Sequence, residues 1–246
     1  MKITILCENA SSDIGFLAEW GFSAFIQTEN VNILFDTGYS DVYIHNAKEA
    51  KLDLEKTDFI ILSHYHNDHA RGLQFHNFQS RKKIVTNPEL IQKLPKNEKE
   101  KITNDFEIVL TKKPLEFSPE IFYLGEIPRA NDFEKGTYQH EPMFDDSALV
   151  IKTPKGAVVI SGCSHSGICN IREYAKKITN QKLFAVLGGF HLFEENKDMV
   201  QRTMKYFQEN QPCRLYPMHC VDFPTLVQFY TNFKCKKYCA GDVITL

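Results

Sequence analysis

The chain has 246 residues, of which 43% are hydrophobic and 24% charged, and its formal net charge at pH 7 is −2. This composition is ordinary for a globular protein, and the small charge gives no indication of a nucleic-acid or membrane partner. No apolar run approaches the roughly 20 residues that span a bilayer, and the N-terminal segment is too short and too alternating for a signal peptide. We therefore expect a cytoplasmic protein with a single domain over residues 1–246.

The cysteines give no indication of a disulfide framework. There are seven of them, an odd number, and no signal peptide is expected before them. Cys235 and Cys239 are separated by three residues and Cys213 and Cys220 by six, so neither pair has CxxC spacing. Buried inert thiols are the favoured interpretation, and an iron–sulfur site built from these four is the alternative.

In the first half of the chain, the hydrophobic periodicity switches repeatedly between that of a strand and that of a helix. Pro88 suits the first turn of a helix, and Thr28-Glu29-Asn30 suits a turn between two strands. In chain order we predict strands at 2–7, 22–27 and 31–35, a helix at 40–50, a strand at 58–62, a short helix at about 69–75, a strand at 84–86, a helix at 88–94, and strands at 106–111 and 120–124.

The second half begins with a long loop at 125–146, and loops of that length in a compact domain are often functional. Along the chain the strands come first in runs and the helices intersperse on both sides of them. This pattern favours an α+β fold of two sheets packed face to face with helices outside over a singly alternating βαβ series. The predicted elements are strands at 147–153 and 157–161, a helix at 167–179, a strand at 183–188, a helix at 197–209, a strand at 213–217, a helix at 224–231 and a strand at about 240–245.

The strongest chemical signal is the segment 63–69 (SHYHNDH), which follows a short apolar strand and is rich in possible metal ligands. In an extended segment alternate side chains share a side, so His64 and His66 can reach one ion together. As the chain turns into a helix, Asp68 and His69 swing to the other side, where they can bind a second ion. Imidazole and carboxylate suit zinc, with iron or manganese as alternatives.

Three distant histidines also follow predicted strands, and strand ends at one edge of a sheet can converge on a site. His165 and His219 are predicted to be further metal ligands. For His191 the alternatives are a ligand, a catalytic acid, or a residue that supports a ligand. Cys163, close to His165, is either a thiolate ligand or a buried structural thiol.

Several other polar residues are candidates for supporting roles. Asp36 ends a predicted strand, so it can hold a ligand histidine by its far nitrogen or brace the metal loop, and the alternative is a simple turn residue. Arg129 in the long loop is a candidate substrate-binding residue, because its planar fork suits phosphate or carboxylate; the alternative is a surface charge. His140 could line the pocket, whereas His45 and His76 are expected at the surface.

The pattern His64-x-His66-x-Asp68-His69, after a buried strand, resembles the HxHxDH signature of the metallo-β-lactamase superfamily. The resemblance is closest to a branch that includes the archaeal dihydropterin ribofuranosylaminobenzene-phosphate synthase and many metal-dependent hydrolases. It extends over nearly the whole chain, in the segments Glu19–Ser23, Ile127–Arg129, Phe144–Leu149, Gly162–Ile168, Gly188–Leu192 and Pro217–Cys220.

The resemblance implies an αββα sandwich with its site at one edge of the two sheets. It implies that His64 and His66 bind one metal ion, that Asp68 and His69 bind the other, and that His219 is the late histidine ligand. Many members of the superfamily also have a bridging aspartate in a Gly-Asp context.

The chain departs from the commoner pattern at that bridging aspartate. The corresponding region offers Asp145 or Asp146, followed by Cys163 and His165. The candidates to replace the usual bridging ligand are therefore Cys163, His165 and Asp146.

These residues predict a dinuclear metal-dependent hydrolase with a small-molecule substrate. Zinc lowers the pKa of bound water from about 15.7 to about 7, and the metal-activated hydroxide would attack an ester or phosphoester. Asp68 would orient the hydroxide and accept its proton, and His191 would protonate the leaving group. The alternatives are a pterin-type ribofuranosyl-phosphate synthase, which is a transferase, and a non-hydrolytic di-iron redox or sensing protein.

Overall fold

The computed structural model describes residues 1–134, 137–138, 141–210 and 214–246, and for residue 138 it describes only the backbone. Two residues singled out above, His140 and Cys213, lie outside the described residues. None of the helices found in the described ranges is long and apolar enough to cross a membrane. The cytoplasmic location and the single domain stay predictions.

The strands follow the predicted alternation closely. In chain order they are β1 (Lys2–Cys7), β2 (Ser23–Gln27), β3 (Asn32–Phe35), β4 (Phe59–Ile61), β5 (Lys83–Thr86), β6 (Glu107–Leu110), β7 (Leu115–Ser118), β8 (Ile121–Tyr123), β9 (Thr137–Tyr138), β10 (Glu141–Pro142), β11 (Ala148–Thr153), β12 (Gly156–Ser161), β13 (Leu183–Gly189), β14 (Arg214–Met218) and β15 (Val243–Thr245).

Helices connect many of these strands. The α-helices are α1 (Val42–Glu49), α2 (Asn67–Ala70), α3 (Pro88–Lys93), α4 (Lys96–Asp105), α5 (Ile168–Thr179), α6 (Lys197–Glu209) and α7 (Phe223–Phe233). Short 3₁₀ turns cover Leu54–Lys56, Arg71–Phe75 and Glu194–Asn196.

The chain forms two compact units, each built around one mixed sheet. The first unit comprises Met1–Thr111 and Tyr238–Leu246, and the second comprises Lys112–Lys237. In the first unit the strand order is β15-β1-β2-β3-β4-β5-β6, and β3 to β6 run parallel. The carboxyl ends of β3 and β4 therefore meet at one edge, where Phe35 pairs with Ile61.

Apolar side chains on this sheet pack against helices α1 and α3. Leu34 and Ile60 are fully buried, and they share a cluster with Tyr43, Ala47 and Leu90. Burial of a leucine or isoleucine side chain such as Leu34 or Ile60 contributes roughly 1.5–3 kcal/mol to the free energy of folding. This core fixes the sheet edge on which the histidine motif stands.

In the second unit the strand order is β14-β13-β12-β11-β8-β7, with β12, β13 and β14 parallel. Val159 and Val186 of the sheet lie in one core cluster with Phe190, Phe207 and Phe229. The three parallel strands end at the same edge, and each continues into one of the segments that carry the later histidines.

The sequence prediction missed strands β9 and β10, of two residues each, inside the predicted loop at 125–146. It also missed two larger elements, α4 and β7. Helix α4 was not predicted, because its sequence is highly charged and Ile102 is its only buried residue, so it has no apolar stripe. Strand β7 was not predicted either, since it is a half-buried edge strand whose one partner among the described strands is β8. Both elements are held by tertiary contacts more than by a local pattern.

Candidate metal centre

The histidine motif begins two residues after β4 and ends in the short helix α2. His64 and His69 are fully buried, with ring centroids 4.2 Å apart. His64 Nε2 lies 3.1 Å from His66 Nδ1. Two imidazole nitrogens on one tetrahedral zinc ion, with Zn–N near 2.0–2.1 Å, are about 3.3 Å apart. The first unit therefore brings this ligand pair to a spacing that a shared metal ion requires.

Asp36 organises this motif from the neighbouring strand end. It is fully buried just after β3. Its Oδ1 accepts a hydrogen bond from the backbone N–H of Ser63 at 2.7 Å, and its Oδ2 accepts one from the Ser63 hydroxyl at 2.7 Å. The same Oδ2 lies 2.8 Å from His69 Nδ1. Both supporting roles predicted for Asp36 are thus seen together.

This network selects the tautomers of two histidines. Since Asp36 is an acceptor, His69 carries its proton on Nδ1 and has its lone pair on Nε2. The Ser63 hydroxyl donates to Asp36 and lies 2.8 Å from His64 Nδ1, which then donates to Ser63. His64 therefore also presents its Nε2 lone pair. These donors and a nearby carboxylate fit a divalent zinc, iron or manganese ion.

Asp68 is at the start of helix α2 and remains partly exposed. Its Oδ2 lies 3.7 Å from His69 Nε2, on the side of the ring away from Asp36. The predicted second pair, Asp68 and His69, is thus brought together within the first unit. The backbone also supports this placement, because Gly21 passes so close that a Cβ there would lie 2.7 Å from the Asp68 carbonyl oxygen.

The histidines of the second unit lie just beyond the ends of three parallel strands, the positions predicted from the sequence. His165 follows β12, His191 follows β13 and His219 follows β14. His191 and His219 both have a φ of +49°, and Ser164 has +62°, a left-handed region that non-glycine residues seldom adopt. Such conformations cluster at functional sites, because the surrounding fold must hold them there.

A buried aspartate braces the segment that carries His165. Asp146 Oδ2 accepts a hydrogen bond from the backbone N–H of Ser166 at 2.9 Å and another from its hydroxyl. Burial raises the pKa of Asp146, and these bonds only partly oppose that effect. Asp146 therefore serves the His165 segment as Asp36 serves the first motif, by holding the adjacent serine.

Cys220 joins the strand ends of the second unit. Its Sγ accepts a hydrogen bond from the backbone N–H of His191 at 3.2 Å and lies 3.3 Å from the Cys163 carbonyl oxygen. Burial disfavours its thiolate, but interactions with Cys163, His191 and His219 outweigh that effect and hold the pKa of Cys220 well below its ordinary value. Sequence reasoning missed this role, because Cys220 is in no CxxC motif.

A cavity of about 580 Å³ opens beside these residues in the second unit. His165 and His191 lie in its wall together with Phe133 and Phe190, and Lys197 is at the start of helix α6 on the rim. Its size is that of a pocket for a drug-sized molecule. The cavity places both imidazoles next to space that a small-molecule ligand can enter.

Arg129 holds the long loop together. It is half-buried, and it donates hydrogen bonds to the carbonyl oxygens of Ile127, at 2.8 Å, and Met143. Its guanidinium carbon also lies 5.3 Å from the centre of the Phe144 ring. The side chain therefore closes the loop upon itself, and a contact with substrate stays a prediction.

Glu134 lines the same cavity, and sequence reasoning missed it. Its buried carboxylate accepts hydrogen bonds from the backbone N–H groups of Cys169 (2.9 Å) and Asn170 (3.0 Å), in the first turn of α5. A Cβ on Gly167 would lie 2.3 Å from Glu134 Oε2, so the glycine makes room for this contact. The loop is thus anchored to the helix that begins beside His165. A glutamate in a loop has no local signal for this role.

Replacing Glu134 tests this anchor through pH. Burial raises the pKa of Glu134 above its ordinary value of 4.5, although its hydrogen bonds oppose the shift. A raised folded-state pKa favours folding at acid pH, and that contribution is lost as pH rises through the folded pKa. We expect the unfolding free energy of wild type, relative to Glu134→Gln, to fall between acid and neutral pH in urea titrations. Glu195→Gln, which changes an exposed carboxylate on the same cavity, is the matched control. A flat difference for Glu134→Gln would contradict the assignment.

Two other histidines have bonding partners in the first unit and take no part in this cluster. His45 Nε2 lies 2.7 Å from the Gly15 carbonyl oxygen, and His76 Nε2 lies 3.0 Å from Asp105 Oδ2. Both are half-buried, where the sequence suggested an exposed position. They brace loops, which makes them suitable controls for the motif.

Comparison with known proteins agrees with this geometry. Residues 21–195 match the sequence model of the metallo-beta-lactamase superfamily. The chain is 28% identical to Tm1679, described as a metal-dependent hydrolase of the beta-lactamase superfamily, and the two structures superpose with a TM-score of 0.85 over 100% of this chain and 99% of the other. Zn²⁺-bound PqqB from Methylobacterium extorquens shares the fold at 11% identity, with a TM-score of 0.66 over the full length of both chains.

Two proteins of Methanocaldococcus jannaschii are also similar. "Uncharacterized protein MJ0448" is 31% identical over 245 residues, covering 92% of this chain and 93% of its own. The 7,8-dihydropterin-6-methyl-4-(beta-D-ribofuranosyl)-aminobenzene-5'-phosphate synthase is 30% identical over 275 residues, covering 95% and 92%. The predicted α+β class, with two mixed sheets and helices, is confirmed. The chain belongs to the metallo-beta-lactamase superfamily.

Proposed function

We propose that this chain is a metal-dependent hydrolase that acts on an ester or phosphoester of a small molecule. The observation that carries the proposal is the Asp36 network, which turns the Nε2 lone pairs of His64 and His69 outward. Membership of a superfamily with metal-dependent hydrolases supports it. Packing of a protein core alone does not require a buried cluster of imidazoles with fixed tautomers.

The proposed centre holds two divalent ions, zinc first, with iron or manganese as alternatives. His64 and His66 would bind one ion, and Asp68 and His69 the other. The further ligands proposed from the sequence are His165 and His219. A bound ion of this kind supplies a Lewis acid and a water of lowered pKa.

Side chains of the protein would then carry out the proton transfers of the hydrolysis. Asp68, with its carboxylate beside His69 and partly open to solvent, would orient the attacking water and accept its proton. His191, in the cavity wall, would donate a proton to the leaving group, which the cavity can accommodate. Arg129 is the proposed contact for a phosphate or carboxylate of the substrate, since its fork of donors suits both.

The test is a substrate panel on protein of measured metal content. Nitrophenyl esters, a nitrophenyl phosphodiester and a lactam would be assayed before and after chelation and after addition of zinc, manganese or iron(II). We expect ester or phosphodiester turnover that disappears on chelation and returns with one of these ions. Unchanged turnover in the metal-free protein would overturn the proposal, as would inactivity together with stoichiometric iron and a visible absorption band, which would favour the di-iron alternative.

A second candidate is a synthase of the pterin type. It is favoured by the 30% identity to the M. jannaschii synthase over nearly the full length of both chains. The discriminating assay supplies a dihydropterin and a ribofuranosylaminobenzene phosphate and looks for the coupled product by mass spectrometry. Coupling without hydrolysis of the panel would favour the synthase.

A further inference from the structure

Two cysteines and a histidine, which are soft or borderline metal ligands, lie at equivalent positions after three strands of the second unit. Strands β12, β13 and β14 are adjacent and parallel, and each is followed, two residues beyond its last residue, by Cys163, His191 or Cys220. Parallel strands of one sheet end at the same edge, so this equal offset brings the three side chains together. The convergence is a product of topology, since the cysteines are far apart in sequence.

The donor atoms are close enough to share an ion. One ligand atom from each of Cys163, His191 and Cys220 lies within 4.8 Å of the other two. Both cysteines are buried, with 4% and 2% of their surface exposed. Cys220 Sγ already accepts a backbone N–H bond from His191, an interaction that stabilises a thiolate.

The backbone also leaves room for the sulfur of Cys220. A Cβ on Gly189 would lie 2.6 Å from Cys220 Sγ and 2.3 Å from the Gly162 carbonyl oxygen, so no larger residue fits there. His191 lies in the wall of the 580 Å³ cavity, which gives an ion a way in from solvent. Possible ligands for an ion, the room beside them and a path from solvent are therefore found in one place.

We propose that Cys163, His191 and Cys220 form a binding site for one thiophilic divalent cation, with zinc as the natural occupant. Two cysteines and one histidine are a ligand set that zinc accepts, with a fourth position left for water. Both cysteines bind as thiolates, so any remaining thiol proton passes to solvent, and the weak contact between Cys220 and the Cys163 carbonyl oxygen is given up. Cys163 is also a candidate for the bridging ligand of the hydrolytic centre, whereas Cys220 is proposed as a ligand of this site alone.

Occupation of this thiolate site has a consequence that rests on the proposed function. His191 is the proposed proton donor to the leaving group, and a cation on its ring nitrogen removes it from that role. Excess zinc is therefore expected to inhibit turnover. The existence of the site does not depend on that role, so its test uses a readout other than activity.

The test is a cobalt(II) titration of the metal-free full-length protein under reducing conditions. Apart from Cys163, the ligands proposed for the hydrolytic centre offer only nitrogen and oxygen, whereas thiolate ligation gives an intense near-ultraviolet charge-transfer band. The fall of that band in Cys220→Ser is therefore the result specific to this site. We expect that band in wild type, at roughly half intensity in Cys163→Ser and in Cys220→Ser, and absent in the double variant, because each thiolate contributes separately. Cys235→Ser, which changes a buried thiol of the same unit, should keep the full band.

A second measurement uses the unmutated chain, so that a folding defect in the variants cannot obscure the answer. Alkylation mapped by mass spectrometry should show zinc protecting Cys163 and Cys220 but leaving the labelling of Cys235 unchanged. A wild type that shows no such band with cobalt would overturn the proposal, as would Cys163 and Cys220 that are labelled equally with and without zinc. A band without hydrolysis of the panel would leave this site standing and overturn the proposed function alone.

Discussion

The His66→Ala variant is expected to lose bound metal. Its turnover should then fall by about three orders of magnitude or more, because the ion supplies several kcal/mol of transition-state charge stabilisation. His66 Nδ1 lies 3.1 Å from His64 Nε2, so its removal leaves one imidazole where two converge. The measurements are elemental analysis of the purified variant and kcat/KM on the best substrate of the panel.

The matched control for this prediction is His45→Ala. His45 is a half-buried histidine of the same unit whose ring nitrogen contacts a loop carbonyl oxygen outside the motif. It should keep the metal content and turnover of wild type, with at most a small loss of thermal stability. Full metal stoichiometry in His66→Ala would remove His66 from the proposed centre.

The Asp36→Asn variant should lose both stability and metal affinity. An amide keeps one acceptor oxygen, which can still take the backbone N–H of Ser63 in place of Oδ1. Its NH₂ group then stands in place of Oδ2 and faces both the Ser63 hydroxyl and the Nδ1–H of His69, so a buried donor is left without an acceptor. Such a group costs about 1–3 kcal/mol, and loss of an outer-shell carboxylate typically lowers metal affinity about 10–100-fold. Asparagine tolerates the φ of +51° at this position, so the backbone itself is not the cause.

Urea unfolding and competition with a chromophoric chelator measure the two effects of Asp36→Asn. The control is Asp58→Asn, an exposed aspartate of the same unit that accepts one backbone N–H bond, from Asn32 at 2.8 Å. It should change the unfolding free energy by only a few tenths of a kcal/mol. Equal behaviour of the two variants would show that Asp36 does not hold the metal loop.

Much of the fold was predictable because the signals are local. Alternating apolar residues marked β1 and β2, and a short apolar run marked β4 directly before the histidine motif. The motif itself is a local pattern, so the superfamily could be identified from it. Charged α4 and edge strand β7 were missed, since neither carries a repeating apolar pattern of its own.

The sequence by itself predicted most of the proposed metal ligands, though not Cys220, because ligand chemistry and strand-end positions can be recognised in short segments such as 63–69. Only the tertiary structure decided which atoms of those residues face the site. Asp36 fixes the tautomers of His64 and His69 across two parallel strands, and Cys163 meets Cys220 through strand order alone. These relations join residues far apart in the chain, and a hydrogen bond or a shared ion requires a proximity that only the folded sheets create.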